Sequence, residues 1–380
     1  SLIEGLENAD YKINAELKAI YDSYITKTQK NQPPPENDLT LLLGGKVPVP
    51  EMDLKKSIAE KMAIESDLAL ITIGRNAGEG EDRKAETGDF YLTDIEKNMI
   101  KTVSDAFHAK GKKTIVILNI AGVIETETWK NTPDAVLCAW LPGQEAGDAI
   151  VDILSGKVNP SGKLTSTFPK RYEDTSTSEY FPGYAIEGET DDKKDESGFS
   201  FMKREPWEVV YQEDIFVGYR YFQTFKVPVS YEFGYGKSYT TFEYNNLRLD
   251  QTSFNDYLKV SVDIINTGKV KGKEAVQIYV SAPNGKLTKP QSELVAFSKT
   301  NLIEPKETET LSFNISAKDI ASFDEDNSRW LVEAGNYILT VGASSEDIRL
   351  EQKFKVEDDI SVEKVHKVMT PNREFEVLKP

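Results

Sequence analysis

Three short, almost uninterrupted apolar runs constrain this chain more than any other feature. Leu68 to Ile73, Thr114 to Ile120 and Ala135 to Trp140 all fall in its first part. Each is too short to be a fully buried helix and too evenly apolar for a strand with one wet face, so each reads as a strand of a parallel sheet covered on both sides. Helical patterns lie around them. Asp53 to Ser66 carries Ile58, Met62 and Ile64. Thr93-x-x-Glu96 is a capping box, and behind it Ile95, Met99, Val103 and Phe107 recur at four-residue spacing until Gly111 stops the helix. Glu16 to Thr26 and Gln144 to Leu154 are further helices, the latter closed by Gly156. The series predicts an α/β sandwich with a mostly parallel sheet over residues 1–170.

From Phe242 the period changes to two. Leu258, Val260, Val262 and Ile264 alternate with Lys259, Ser261 and Asp263, and Asn266-Thr267-Gly268 makes a turn. Further strands are predicted at Glu274 to Val280, Glu293 to Phe297, Thr308 to Ile315, Trp330 to Glu333, Tyr337 to Val341 and Ile348 to Phe354. This is the pattern of an all-β sandwich of the immunoglobulin or fibronectin type III kind, without the disulfide, placed at 242–357. Residues 171–241 have no clear period. They include six acidic residues among the ten from Glu187 to Glu196, which read as a solvated loop, and an aromatic-rich stretch from Tyr211 to Tyr244, which reads as packing between the domains. Residues 358–380 read as a tail.

Charge and cysteine count narrow the chemistry. A formal net charge of −17 repels phosphate backbones and anionic lipid, so neither nucleic acid nor membrane is an expected partner. No apolar run approaches the roughly 20 residues of a membrane helix, and no leader is visible at Ser1. One cysteine excludes an internal disulfide and a cysteine zinc cage, and points to the cytoplasm; a trimmed start would hide a secretory or periplasmic signal. Two histidines, His108 and His366, leave little room for a histidine-based metal site or triad. Neither a metal nor a cofactor is expected, and catalysis would rest on carboxylates.

The segment from Gly74 to Lys84 is the most informative one. It follows the apolar run that ends at Ile73, and open parallel sheets bind ligands in loops at the carboxyl ends of their strands. Gly78 and Gly80 flank Glu79, so the backbone there can project a single carboxylate. Glu79, Glu81, Asp82, Arg83 and Glu86 are the chemically capable residues. Gly78-x-Gly80 lacks the third glycine of a dinucleotide fingerprint, because position 83 is Arg, and Gly44-Gly45-Lys46 lacks phosphate-loop spacing. His108, late in its helix, reads as a surface or cap residue, and Cys138 as a packed thiol.

Several long motifs agree with one family. Gly78-Glu79-Gly80-Glu81-Asp82-Arg83-Lys84 with Gly88-Asp89-Phe90-Tyr91-Leu92 resembles glycoside hydrolase family 3. So do Pro142-Gly143-Gln144-Glu145-Ala146-Gly147, the run from Gly156 to Leu164, Thr167-Phe168-Pro169-Lys170, the run from Tyr211 to Tyr221, and Phe233-Gly234-Tyr235-Gly236-Lys237-Ser238-Tyr239-Thr240. Gly272-Lys273-Glu274 and Val341-Gly342-Ala343-Ser344-Ser345 resemble that family's fibronectin type III-like module. The likeness covers nearly the whole chain in order and is strongest to bacterial β-glucosidases of three-domain type.

The resemblance implies a retaining glycosidase with two carboxylates. The nucleophilic Asp would lie on a (β/α)8 barrel and the acid/base Glu on the α/β sandwich. By position Glu79 matches that acid/base, with Glu81 and Glu86 as alternatives and with Asp82 and Arg83 supporting the loop. The implied substrate is a β-glucoside or short β-gluco-oligosaccharide with a free non-reducing end. β-Xylosidase, arabinofuranosidase and β-N-acetylhexosaminidase activities stay open within the family, and a non-catalytic carbohydrate-binding or structural module is the rival from another class. No barrel is present in these residues, and the chain opens inside what would be the helix after the sandwich domain's first strand. The sequence therefore reads as the C-terminal part of an enzyme, inactive alone, whose partner is the barrel polypeptide, expected upstream. Losing that first strand would expose a sheet edge, so the chain is expected to need the upstream piece. A homo-oligomer is compatible with the sequence.

Overall fold

The structure, a computed structural model, describes residues 1–33, 49–75, 83–186, 207–368, 370, 371 and 373–380. The chain forms two compact units. The first holds residues 1–152 and 180–210, and the second residues 153–179 and 211–380. Compactness thus divides the chain elsewhere than the expected 170/171 and 241/242 boundaries, and it splits the expected linker between the two units. The acidic stretch from Glu187 to Glu196 lies outside the described residues, as does Gly44-Gly45-Lys46.

In the first unit α1 (Leu2–Asn8), α2 (Ala15–Asn31) and α3 (Lys56–Glu65) precede β1 (Leu68–Arg75), α4 (Asp94–His108), β2 (Lys113–Ile120), β3 (Ala135–Cys138) and α5 (Ala146–Leu154). The strands form a parallel sheet in the order β1-β2-β3, with Leu68 opposite Lys113 and Ile115 opposite Ala135. All three predicted runs are strands, and the sheet is parallel, as their apolar composition required. α4 lies against β1 and β2 and buries Met99, Ile100, Val103 and Phe107, while α3 packs on α4. The capping box is formed on both sides: Glu96 N donates to Thr93 Oγ1 at 3.1 Å and Thr93 N to Glu96 Oε2 at 2.7 Å. Gly5 and Gly147 bring α1 and α5 into backbone contact. A Cβ on Gly5 would stand 2.4 Å from the Gly147 carbonyl carbon, so no larger residue fits without moving a helix. Among the described residues no helix is long and apolar enough to cross a membrane.

The amino end of the sheet is fastened by Asp134. Its Oδ1 accepts from Lys113 Nζ at 2.7 Å, and its Oδ2 accepts from Thr114 N at 2.8 Å and lies 2.8 Å from His108 Nε2. The Lys113 bond, helped by the Thr114 amide and His108, holds the Asp134 carboxyl well below the usual carboxylate range. A depressed carboxyl stabilises the fold above its unfolded pKa, about 4, and that contribution is lost as pH falls toward the folded value. The stability gap between wild type and Asp134→Asn, read as urea midpoints from pH 6 to pH 2, is therefore expected to close on acidification. A gap independent of pH would contradict this role.

The second unit is the β-sandwich. Its strands are β4 (Phe242–Leu249), β5 (Ser253–Phe254), β6 (Tyr257–Asn266), β7 (Ala275–Ser281), β8 (Glu293–Lys299), β9 (Thr308–Ser316), β10 (Ser322–Asp324), β11 (Arg329–Val332), β12 (Gly335–Gly342), β13 (Ile348–Val356) and β14 (Ile360–Lys364). One sheet runs β9-β6-β4, the other β8-β7-β12-β13-β5, and β10-β11-β14 forms a small third sheet. The period-two pattern works as read: Leu258, Val260, Val262 and Ile264 are fully buried and meet Ile278, Tyr337 and others in one core. Each such side chain contributes about 1.5–3 kcal/mol by leaving water. The expected tail is not all tail, because β14 pairs antiparallel with β11. Its sequence Ile-Ser-Val-Glu-Lys has only two half-buried apolar positions, so it carries little strand signal.

Several motif blocks prove to be joints of this unit. Asn159 Oδ1 accepts from Tyr239 N at 2.8 Å and Ser238 Oγ at 2.9 Å, and Asn159 Nδ2 donates to Lys271 O at 3.0 Å. Lys163 Nζ reaches Glu274 Oε1 at 3.0 Å, which also accepts from the Tyr244 hydroxyl at 2.9 Å. Gly234 sits at φ +80° with Gln277 against it, so a Cβ there would lie 2.0 Å from Gln277 Oε1. The aromatic stretch, expected to pack between domains, has ring contacts inside this unit: Tyr219 stacks on Phe233 with ring centres 4.8 Å apart and meets Tyr279 edge-on at 5.9 Å.

Candidate functional site

The carboxyl ends of β1 and β2 hold a frame of charged groups in the first unit. β1 runs two residues beyond its apolar run and ends in Arg75, whose side chain is buried. Its guanidinium makes a fork to Glu96, with Nη1 to Oε1 at 2.7 Å and Nη2 to Oε2 at 2.8 Å. The same group donates from Nη1 to Gly74 O and from Nε to Asp89 O, both at 2.8 Å. Glu96 is fixed in turn by the Thr93 cap at the start of α4. Burial works against the Glu96 charge, but the Arg75 fork and the Thr93 amide outweigh it and hold the carboxyl below its usual range.

The second guanidinium belongs to Arg83, which is partly buried. It pairs with Asp89 through Nη1 and Oδ1. Asp89 Oδ2 accepts from Lys84 N at 2.6 Å. Between them residues 84–91 turn back on themselves: Glu86 N donates to Lys84 O at 2.8 Å, Tyr91 N to Glu86 O at 3.1 Å and Gly88 N to Tyr91 O at 2.7 Å. The turn is bolted to the chain beyond β2 by Phe90, which is buried and whose carbonyl accepts from Glu125 N at 2.8 Å. Arg83 also reaches that chain, since a Cβ on Gly122 would lie 3.4 Å from its Nη2.

The candidates divide sharply. Glu79, Glu81 and Asp82 lie outside the described residues. Glu86 is exposed in the turn. Arg83 pairs with Asp89. Among the described residues no three His, Cys, Asp or Glu side chains gather as a metal site. Burial pushes the Cys138 thiol up to about 11, so it stays protonated at neutral pH and is no nucleophile. Two residues of the frame carried no functional weight in the sequence reading. Arg75 was legible as a lone charge next to a buried strand, and Asp89 only as one letter of a motif. Each guanidinium faces a carboxylate, and Arg75 and Arg83 are the described residues on either side of the stretch that contains Glu79.

Residues 5–219 match the profile of the glycosyl hydrolase family 3 C-terminal domain, and residues 274–345 that of a fibronectin type III-like domain. The chain is 36% identical over 369 residues to beta-glucosidase A of Butyrivibrio fibrisolvens, covering 85% of this chain and 41% of that protein. Among solved structures it resembles beta-glucosidase 3B of Thermotoga neapolitana in complex with α-D-glucose, with a TM-score of 0.84, 42% identity and coverage of 95% of this chain and 47% of that one. A β-glucosidase from Paenibacillus barengoltzii gives a TM-score of 0.82 at 31% identity, covering 100% of this chain and 40% of that one. The chain spans less than half the length of these relatives.

Proposed function

The chain belongs to glycosyl hydrolase family 3, and from that premise we propose that it supplies the acid/base half of a retaining β-glucosidase acting on terminal, non-reducing β-D-glucosyl residues. The nucleophilic Asp would come from a barrel that is not among these 380 residues. The observation that carries the reading is the sequence position of Glu79, glycine-flanked and four residues after the end of β1, between Arg75 and Arg83, both of which bond to Asp89.

In the first step Glu79 would give its proton to the glycosidic oxygen as the barrel Asp attacks the anomeric carbon. The C–O bond to the leaving group breaks, and an ester to the Asp forms. In the second step Glu79, now a carboxylate, would take a proton from water as that water displaces the Asp, giving glucose with its β configuration retained. A proton donor held in place near the leaving oxygen converts this transfer into a step within one complex, which is where its rate advantage lies.

The test is a panel of aryl glycosides given to a polypeptide that joins this chain to its barrel, with the product anomer followed by NMR. Aryl β-glucoside should be cleaved in preference to β-xyloside, α-arabinofuranoside and N-acetyl-β-glucosaminide, and β-glucose should form first. Preference for another sugar would move the reading to that specificity within the family, and α-glucose as first product would overturn the retaining mechanism.

A further inference from the structure

The second unit carries an exposed aromatic pair that the catalytic reading does not use, and we infer that it is a binding surface for a neutral β-glucan chain. Phe323 on β10 and Trp330 on β11 stand directly opposite each other, with ring centres 5.4 Å apart. They are 40% and 39% exposed, whereas Leu331 and Val332, which follow Trp330, are buried. Glu363 on β14 lies opposite Trp330 on its other side. The three residues therefore form one row across the small sheet, about 10 Å long at the usual strand spacing. Lys318 joins the row, with Nζ 3.5 Å from Glu363 Oε2, and both of these groups are exposed.

The row is held still. Trp330 is on the middle strand, with a ladder on each side. The turn between β10 and β11 is tied by the buried Asp324, whose carboxylate accepts from Asn327 N at 3.2 Å, Asn327 Nδ2 at 2.9 Å and Arg329 Nε at 3.0 Å. A surface ordered in advance loses little entropy on binding. Its chemistry selects the occupant. A pyranose ring with equatorial hydroxyls has apolar C–H faces and a rim of donors and acceptors. The C–H faces suit aromatic rings, whose faces carry partial negative charge. The rim suits a carboxylate and an ammonium beside them. A protein partner does not fit: side chains of this type cover about 150–250 Å² each, so on the order of 150 Å² of ring lies open, against about 800 Å² for each partner of a stable complex. An anionic polymer would meet a chain of net charge −17. The choice of glucan among neutral polysaccharides rests on the β-glucosidase reading; the stacking does not.

The experiment runs the joined polypeptide in native gels that contain a soluble mixed-linkage β-glucan, with polygalacturonate gels as the anionic control. The wild type is compared with Trp330→Ala, Phe323→Ala and Trp330→Tyr. The β-glucan should retard the wild type and polygalacturonate should not. Each alanine variant should weaken the apparent association about 10-fold, and Trp330→Tyr, which keeps a ring, should retain most of it. All variants should cleave 4-nitrophenyl β-glucoside with wild-type kcat/KM, which sets this surface apart from the catalytic site. Should Trp330→Ala fail to fold, Phe323→Ala and Glu363→Gln, both on exposed side chains, carry the test. An unretarded wild type, or equal retardation of the wild type and the alanine variants, overturns the inference. So does sedimentation in which the alanine variants turn a wild-type dimer into a monomer while retardation is unchanged, since the pair would then join two copies. Retardation that depends on the rings in a protein that cleaves no aryl β-glucoside would leave the surface standing and remove the β-glucosidase reading.

Discussion

Glu79→Gln, made in the polypeptide that includes the barrel, is expected to lower kcat/KM on cellobiose and alkyl β-glucosides by a factor on the order of 10²–10⁴. Glutamine has nearly the shape of glutamate but neither donates a proton to the leaving oxygen nor accepts one from water. The nucleophilic half of the mechanism stays intact, so the loss depends on the substrate. A dinitrophenolate departs unassisted, and the first step is largely spared for it. The second step still lacks its base, so the glycosyl-enzyme should accumulate and the release of dinitrophenol should show a burst. Azide, which attacks as an anion and needs no base, should restore turnover and yield β-glucosyl azide. An equal, small effect on every substrate would remove Glu79 from the chemistry. The same substitution at Glu81 or Glu86 would then be decisive. If all three variants kept wild-type activity, the chain would be a non-catalytic module beside a complete barrel site.

That prediction shows how unevenly the sequence speaks. The strands were legible because their signals are local: Val116, Ile117 and Leu118 stand together in an apolar run, and Val260 and Val262 alternate with polar neighbours. The capping box was legible for the same reason, since Thr93 and Glu96 are three residues apart and meet within one helical turn. Partners that meet only through folding were not legible. Glu96 read as a cap alone, yet it also carries the fork to Arg75, 21 residues earlier, because α4 packs across β1. Arg83 pairs with Asp89, six residues on, because a turn returns it. β14 was missed because an edge strand with mostly exposed side chains has no need of an apolar alternation. The identity of the acid/base came from glycine flanks and family likeness, and the frame around it came only from the structure.

The buried fork sets the second large expectation, and its two halves should not cost the same. Removing one partner of a buried ion pair typically destabilises by about 3–5 kcal/mol, because the survivor is left charged and unpaired. Glu96→Gln can keep the cap, since glutamine also serves at that position, but it strands a guanidinium that cannot lose its proton. Besides the one glutamine oxygen, which the cap also claims, its acceptors among the described residues are the carbonyls of Gly74 and Asp89, and a loss of about 3–5 kcal/mol is expected. Arg75→Met strands a carboxyl instead, and a carboxyl has an escape. It keeps the Thr93 amide, and where burial dominates it can take up a proton. The Arg75→Met loss should therefore be smaller. Its pH dependence should also be opposite to that of wild type. In wild type the Glu96 carboxyl lies below its unfolded value, so its contribution is present above that value and fades as pH falls. With the Arg75 fork gone, burial is expected to outweigh the Thr93 bonds and raise the folded carboxyl above its unfolded value, so the variant should gain on wild type as pH falls. The double variant removes both charges and should recover most of the loss of Glu96→Gln, with a coupling of about 1–3 kcal/mol between the sites. Urea denaturation of the four proteins at pH 7, pH 5 and pH 3 measures every term, the wild-type loss falling between the last two. Additive losses, or a Glu96→Gln cost under about 1 kcal/mol, would mean that the fork is wet in solution.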